Sequence, residues 1–255
     1  MYFANMNFSF FSTTINHNDK EKSKDYRNVV IIQIIIIVMG LVLSTFTDFD
    51  NPEPKDKLII TIFSGFGAVY AFLLWDLLKD FTKSRVLVRL VLIILIFITI
   101  LGLLGEFPYY KFLEISNRRA YLLLIHGLLF PIEVTIIGFA IKDLFSGNKF
   151  SMGKLWGAAC VYLMIGISFG SLYDLINIIR YSALGVEISL GLASYAESIY
   201  YSFNILGGLD TAYPNPIKLV RNIGVIEAVW ANLYAILIIG KLLGLPALKE
   251  TKPES

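Results

Sequence analysis

The sequence predicts an all-α integral membrane protein with six transmembrane helices and one shorter helix between the last two. Three observations carry that expectation. Of the 255 residues, 56% are hydrophobic and only 16% charged, against about a quarter charged in an ordinary soluble domain. The mean hydropathy is +0.67. Apolar runs recur along the chain, each near the roughly 20 residues that a helix needs to cross a hydrocarbon core about 30 Å thick.

The first run is Val29–Phe46, and Leu58–Leu78, Val86–Leu104, Tyr121–Ile141 and Leu155–Ile179 follow. A sixth extends from about Ile223 to Leu245. Inside lipid only helices and closed barrels satisfy every backbone polar group. Unbroken apolar runs do not fit the alternation of a barrel strand, so the spans are expected to form a helical bundle.

Basic residues near the span ends set the orientation. Lys20, Lys22, Lys24 and Arg27 precede the first span, and Lys79, Lys83, Arg85 and Arg89 surround the second connection. Lys142, Lys149 and Lys154 follow the fourth span, and Lys249 and Lys252 follow the last. A six-span chain brings all of these to one side, which is expected to be the cytoplasm. Asp- and Pro-rich Thr47–Lys57 is then outside, with Arg118 and Arg119 as a mild counter-signal. Residues 1–28 read as a cytoplasmic N-terminal segment, without the basic start and apolar stretch of a cleavable signal. Residues 29–150 form a four-helix transmembrane bundle, 151–245 a two-span unit, and 246–255 a short cytoplasmic tail. Both termini are expected inside, in the plasma (inner) membrane.

The net charge of +2 offers no basic stripe for nucleic acid. The one cysteine, Cys160, forms no intrachain disulfide, and with two histidines in the chain builds no zinc site. It reads as a small buried hydrophobe. No HExxH, GxSxG, P-loop or His/Asp metal cluster occurs, so no enzyme, metal or cofactor is expected. A transporter would more readily carry an internal repeat with paired broken helices, and none is evident.

The stretch from Arg180 to Arg221 is not an ordinary loop. Ser194–Leu206 is aromatic and helical in period but too short to cross the bilayer. Gly207, Gly208, Leu209 and Asp210 follow, then Tyr213-Pro214-Asn215-Pro216. A half-length helix followed by irregular backbone suits a re-entrant loop over about 194–216, tolerated at membrane depth where it is buried or lines a water-filled cavity. An amphipathic surface helix ending in a glycine turn is the other reading.

Several short stretches carry a family resemblance. They are Tyr200-Tyr201-Ser202-Phe203, the glycine pair, Asp210, the Pro-x-Pro, Ile226-Glu227-Ala228 and Leu233-Tyr234-Ala235-Ile236-Leu237-Ile238. Together they resemble the two-span pore module of potassium channels. They are most like small bacterial channel-like proteins in which four extra spans precede that module. Val161-Tyr162-Leu163-Met164-Ile165-Gly166, with Phe169 and Tyr173, resembles the outer pore helix of that family. The likeness covers about Leu155 to Gly244, and residues 1–150 share only their four spans. It implies a homotetrameric cation channel in the lipid bilayer, with a re-entrant pore helix and filter loop from each subunit. Tyr201, Phe203, Glu227 and Tyr234 would support the pore helix and inner helix, with Glu227 bracing rather than touching ions.

The filter departs from the family's TTVGYGD. A gapless continuation sets Gly207 to Tyr213 against it, so that Asp210 and Ala212 replace the two filter glycines and Thr211 lies between them. The alternative sets Gly207-Gly208-Leu209-Asp210 against GYGD and puts Leu209 where a glycine should be. Filter glycines adopt backbone conformations closed to other residues, so neither alignment gives a standard potassium filter. Both put Asp210 at the narrowest region, where a ring of carboxylates attracts cations. The expected partners are monovalent cations, K+ or Na+, with divalent cations also open. A loop that conducts nothing is the competing expectation.

Voltage gating needs arginines at three-residue spacing in one span, each charge being worth about 2.3 kcal/mol per 100 mV. Tyr121–Ile141 contains no Arg or Lys, so such gating is not expected. It does contain His126 and Glu133 on one helix face, with Pro131 between them as an expected kink. An ionisable group at that depth is by default functional, which makes the two a candidate intramembrane sensor pair. A structural hydrogen bond between helices is the other reading.

Overall fold

The computed structural model describes residues 19–46, 53–106, 109, 117–145, 152–209, 213 and 215–243. Among them the regular secondary structure is all α-helix. The helices are α1 (Asp19–Phe46), α2 (Pro54–Phe81), α3 (Arg85–Glu106), α4 (Arg118–Phe145), α5 (Met152–Ile179), α6 (Leu192–Leu206) and α7 (Lys218–Leu243). Six are long and apolar enough to cross a membrane, and α6 is not one of them. The chain therefore has the make-up of a multi-pass membrane protein.

Local chemistry explains several helix ends. Pro54 opens α2, and the backbone N–H of Glu53 donates to the Asp56 carboxylate at 2.9 Å, the reciprocal arm of a capping box. Ser84 accepts from the Leu87 N–H at 3.4 Å and starts α3. Asn117 accepts from the Ala120 N–H at 3.1 Å and starts α4. α4 runs unbroken through Pro131. α1 begins at Asp19, well ahead of the apolar run at Val29, because the polar DKEKSKDYR stretch is helical too.

α5 is the hub. It packs against α1, α4, α6 and α7, while α3 on the periphery packs mainly against α2 and α4 among the described helices. The four leading helices thus reach the last two long ones mainly through α5. Tyr26 near the start of α1 meets Phe81 at the end of α2 with tilted rings 6.2 Å apart and donates to Asp143 at the end of α4 at 3.2 Å. Lys241 at the end of α7 donates to the Leu144 carbonyl at 2.7 Å. One end of the bundle therefore gathers the start of α1 and the ends of α2, α4 and α7.

α6 doubles back along α5. Its first turn lies beside Asp174 and Asn177, and its last carbonyl, Leu206, accepts from Tyr162 at 3.3 Å. Its 15 residues extend roughly 22 Å, short of the bilayer core. Beyond Leu209 the chain is back beside the middle of α6, with the Tyr213 ring 5.8 Å from that of Tyr201. The Ile217 N–H then donates to the Ala183 carbonyl at 3.0 Å. Gly185, at φ +90°, lets that return pass closely: a Cβ there would meet the Asn215 carbonyl carbon at 2.6 Å.

A pair of glycines seats α6 on α5. A Cβ on Gly166 would fall 2.6 Å from the Phe203 ring, and one on Gly170 would fall 2.6 Å from Ile199 Cδ1 and 3.1 Å from Ile199 Cα. This small-xxx-small spacing lets two helices approach closely in lipid. Gly166→Ala and Gly170→Ala are each expected to cost about 1–3 kcal/mol by overpacking. Gly127→Ala, facing open space, should be neutral or stabilising by up to about 1 kcal/mol. Thermal unfolding of the detergent-solubilised protein checks this, and equal effects at all three positions would contradict the tight α5–α6 seat.

Candidate functional site

Two buried polar seams fix α6 in place. The first lies between α5, α6 and α7. Glu227, fully buried on α7, accepts a hydrogen bond from the Tyr173 hydroxyl at 2.7 Å. The Ser202 hydroxyl of α6 lies 2.5 Å from the other Glu227 oxygen and 2.7 Å from the Gly166 carbonyl. Tyr201 meets Tyr173 edge to face at 4.9 Å, an arrangement that aromatic quadrupoles favour. Phe203 covers Gly166, and Tyr234 donates to the Ala158 carbonyl at 3.0 Å, tying α7 to the first part of α5. The four support residues expected from the resemblance thus cluster around one face of α5.

The second seam joins α4, α5 and α6. Asp174, fully buried, accepts from Ser194 at 2.5 Å, and His126 Nδ1 stands 3.1 Å from its other oxygen. Asn177 donates to Ser194 at 2.9 Å and accepts from the Ala183 N–H at 3.0 Å. The Asn177 amide therefore holds both the first turn of α6 and the loop after α5, and the Asp174 carboxyl adds a second hold on α6.

His126 and Glu133 are not partners of each other. His126 turns to Asp174, whereas Glu133, 1% exposed, lies beside Ser171 of α5. Neither Glu133 oxygen makes a hydrogen bond. Tyr70 of α2 and Tyr195 of α6 are within electrostatic reach of it. Tyr195 also lies 5.5 Å, ring to ring, from His126. A shared helix face thus serves two separate polar centres, linked through α5 and α6.

Of the residues expected to line an ion path, Gly207, Gly208 and Leu209 form the turn that ends α6. Gly208 has φ +67°, and Leu209 is 64% exposed. The Gly207 and Leu209 N–H groups donate to the Phe203 and Asn204 carbonyls at 2.9 Å, so helix-end hydrogen bonds hold the turn. Asp210, Thr211 and Ala212 lie outside the described residues. On the return, the Tyr213 hydroxyl donates to Glu197. Burial holds the Glu197 carboxyl above the ordinary carboxylate range.

The sequence placed Tyr173 and Ser202 within motifs without marking them as partners of Glu227, and it did not single out Ser171, Asn177 or Ser194. A usable signal was available for the last three. Small polar residues on the core face of an apolar helix usually mark hydrogen bonds between helices.

No protein-family model, curated protein or solved structure matches this chain. Among the described residues no group of three or more His, Cys, Asp or Glu could hold a metal ion.

Glu227→Leu is expected to destabilise the protein by about 1–3 kcal/mol, because the Tyr173 hydroxyl loses its buried acceptor and Ser202 keeps only the Gly166 carbonyl. Adding Tyr173→Phe and Ser202→Ala should recover much of that loss, since apolar replacement of all partners leaves nothing unsatisfied. Thermal unfolding across the single and combined variants measures the coupling, and simple additivity would argue against a shared network.

Proposed function

We propose that the chain is a subunit of a homotetrameric cation channel of the potassium-channel-like kind, passive and weakly or atypically selective. In this reading α6 is a re-entrant pore helix, residues 207–212 line the ion path, and α5 and α7 are the outer and inner pore helices. The protein lies in the plasma (inner) membrane with both termini cytoplasmic.

The observation that carries the reading is the excursion between α5 and α7. A helix too short to cross doubles back along α5, and the chain then returns to the level at which it started. Such a path is expected of a pore loop. A surface helix would not need fully buried Ser194, Ser198 and Ser202 along its length. A second support is the outward face of α7, where Val225, Ile226, Val229, Leu233, Ile236 and Leu237 are each more than half exposed. A contiguous apolar face of this kind suits lipid or neighbouring copies. A third is Glu227, which is held by Tyr173 and Ser202 and so braces α6. The basic ends of α1, α2, α4 and α7 meet at one end of the bundle, in keeping with a cytoplasmic face.

Selectivity follows from Asp210. Four carboxylates around one axis attract cations and replace part of a carbonyl cage. The missing filter glycines favour weak discrimination between K+ and Na+, or passage of divalent cations. They also favour a second reading, a channel-like subunit that conducts nothing.

Bi-ionic conductance in planar bilayers tests the proposal, with Asp210→Asn measured alongside. Cation currents are expected, with a reversal potential that shifts in the variant. Silence from a protein shown separately to be tetrameric would favour the non-conducting subunit. Silence from a monomer would remove the channel reading.

A further inference from the structure

The connection between α2 and α3 forms an open, shallow cavity of about 550 Å³ lined by Lys79, Thr82, Lys83, Arg85, Val88 and Arg89. Four of its six lining residues are basic. Lys79 is neutralised by Asp76 at 2.5 Å, and its ammonium also sits 4.2 Å over the Trp75 ring. Lys83, Arg85 and Arg89 are exposed and have no carboxylate partner among the described residues. Three uncompensated cations thus share one concave surface, which focuses positive potential. The wall is stiff, because the Trp75 indole N–H donates to the Val88 carbonyl at 3.2 Å and Ser84 donates its N–H to Thr82 Oγ1 at 3.2 Å.

What lies beside the cavity identifies the occupant. Directly along α3 from Arg85 and Arg89 runs an exposed apolar stripe of Val86 (77% exposed), Leu90, Ile93 and Phe97. The opposite face of the helix, with Val91, Leu95 and Ile98, is buried against its neighbours. From Val86 to Phe97 the stripe extends roughly 16 Å at about 1.5 Å per residue. That is close to half of a hydrocarbon core about 30 Å thick, the depth of one leaflet. α3 is peripheral and packs mainly against α2 and α4, and the stripe is left exposed among the described residues.

We propose that this cavity is a binding site for the phosphate headgroup of an anionic membrane lipid, whose acyl chains lie along the α3 stripe. A zwitterionic headgroup brings its own cation and gains less from three unpaired basic side chains. A soluble phosphate would use the cavity but not the stripe. The site sits on the leading helices, away from α6 and α7, and does not depend on whether the chain conducts ions.

Native mass spectrometry of the purified full-length chain, titrated with phosphatidylglycerol or phosphatidylcholine of matched chains, tests the proposal. Phosphatidylglycerol is expected to bind the tighter. Arg85→Gln/Arg89→Gln should weaken it roughly 25-fold, from about fivefold per basic side chain removed near a membrane surface. Arg85→Lys/Arg89→Lys should keep most of the affinity. Lys24→Gln/Arg27→Gln removes two exposed charges from the same end of the bundle and should leave the tight binding in place. The proposal is overturned if the two lipids bind alike, or if the control pair weakens binding as much as the arginine pair. It is also overturned if inorganic phosphate at equal concentration displaces the lipid, which would make the cavity a site for a free anion.

Discussion

A helix too short to cross a bilayer must find partners for its polar groups within the protein, because lipid offers none. α6 meets most of that demand, although the buried Ser198 hydroxyl makes no hydrogen bond. Ser194 is held by Asp174 and Asn177 at one end, Ser202 by Glu227 and Gly166 further on, and the Leu206 carbonyl by Tyr162. Almost all of these partners belong to α5, and Glu227 of α7 supplies the remaining anchor. Because α5 also packs on α1 and α4, the seat of α6 and the packing of the leading bundle depend on the same helix. Displacing α6 would take Ser194 from Asp174 and Ser202 from Glu227, leaving His126 and Tyr173 beside the two buried carboxyl groups, and a buried polar group stripped of a hydrogen bond costs about 1–3 kcal/mol.

That arrangement explains why two glycines sit on the α6 face of α5. The 2.5 Å contact of Ser194 with Asp174 and the 2.7 Å contact of Ser202 with the Gly166 carbonyl require the two backbones to come close. Side chains at Gly166 and Gly170 would hold them apart. Close packing and polar satisfaction are then a single constraint seen from two sides. Glu133 stands outside it. Its carboxylate has burial without hydrogen bonds, the one carboxylate along these seams that the α6 network does not serve.

The six long helices and the short α6 were legible in the sequence because lipid enforces them. A run of apolar residues as long as the bilayer is thick has little use in a chain surrounded by water. Helix ends were less legible. α1 starts at Asp19 rather than near Val29, since hydropathy reports where a chain meets lipid and not where its hydrogen bonds begin. Partners were least legible. Tyr173 and Glu227 lie 54 positions apart, and nothing in either local pattern names the other. The heptad spacing of His126 and Glu133 correctly implied a shared face, but a shared face does not make a contact. The facing helix sorted the two, one to Asp174 and the other beside Ser171.

The dependence on α5 has a consequence for biosynthesis. Gln33 of α1 donates its side-chain amide to the Cys160 carbonyl across 127 positions of sequence. At about 5–20 residues per second, a ribosome needs roughly 6–25 s to deliver that acceptor after Gln33 has emerged. Through that interval α1 carries an amide whose native partner does not yet exist, and α4 later brings His126 and Glu133 ahead of α5. The leading spans therefore enter the membrane with polar groups in need of temporary company, from the insertion machinery or trapped water. The leading helices thus wait for α5, on which α1 and α4 pack, and α6 and α7 are made after it.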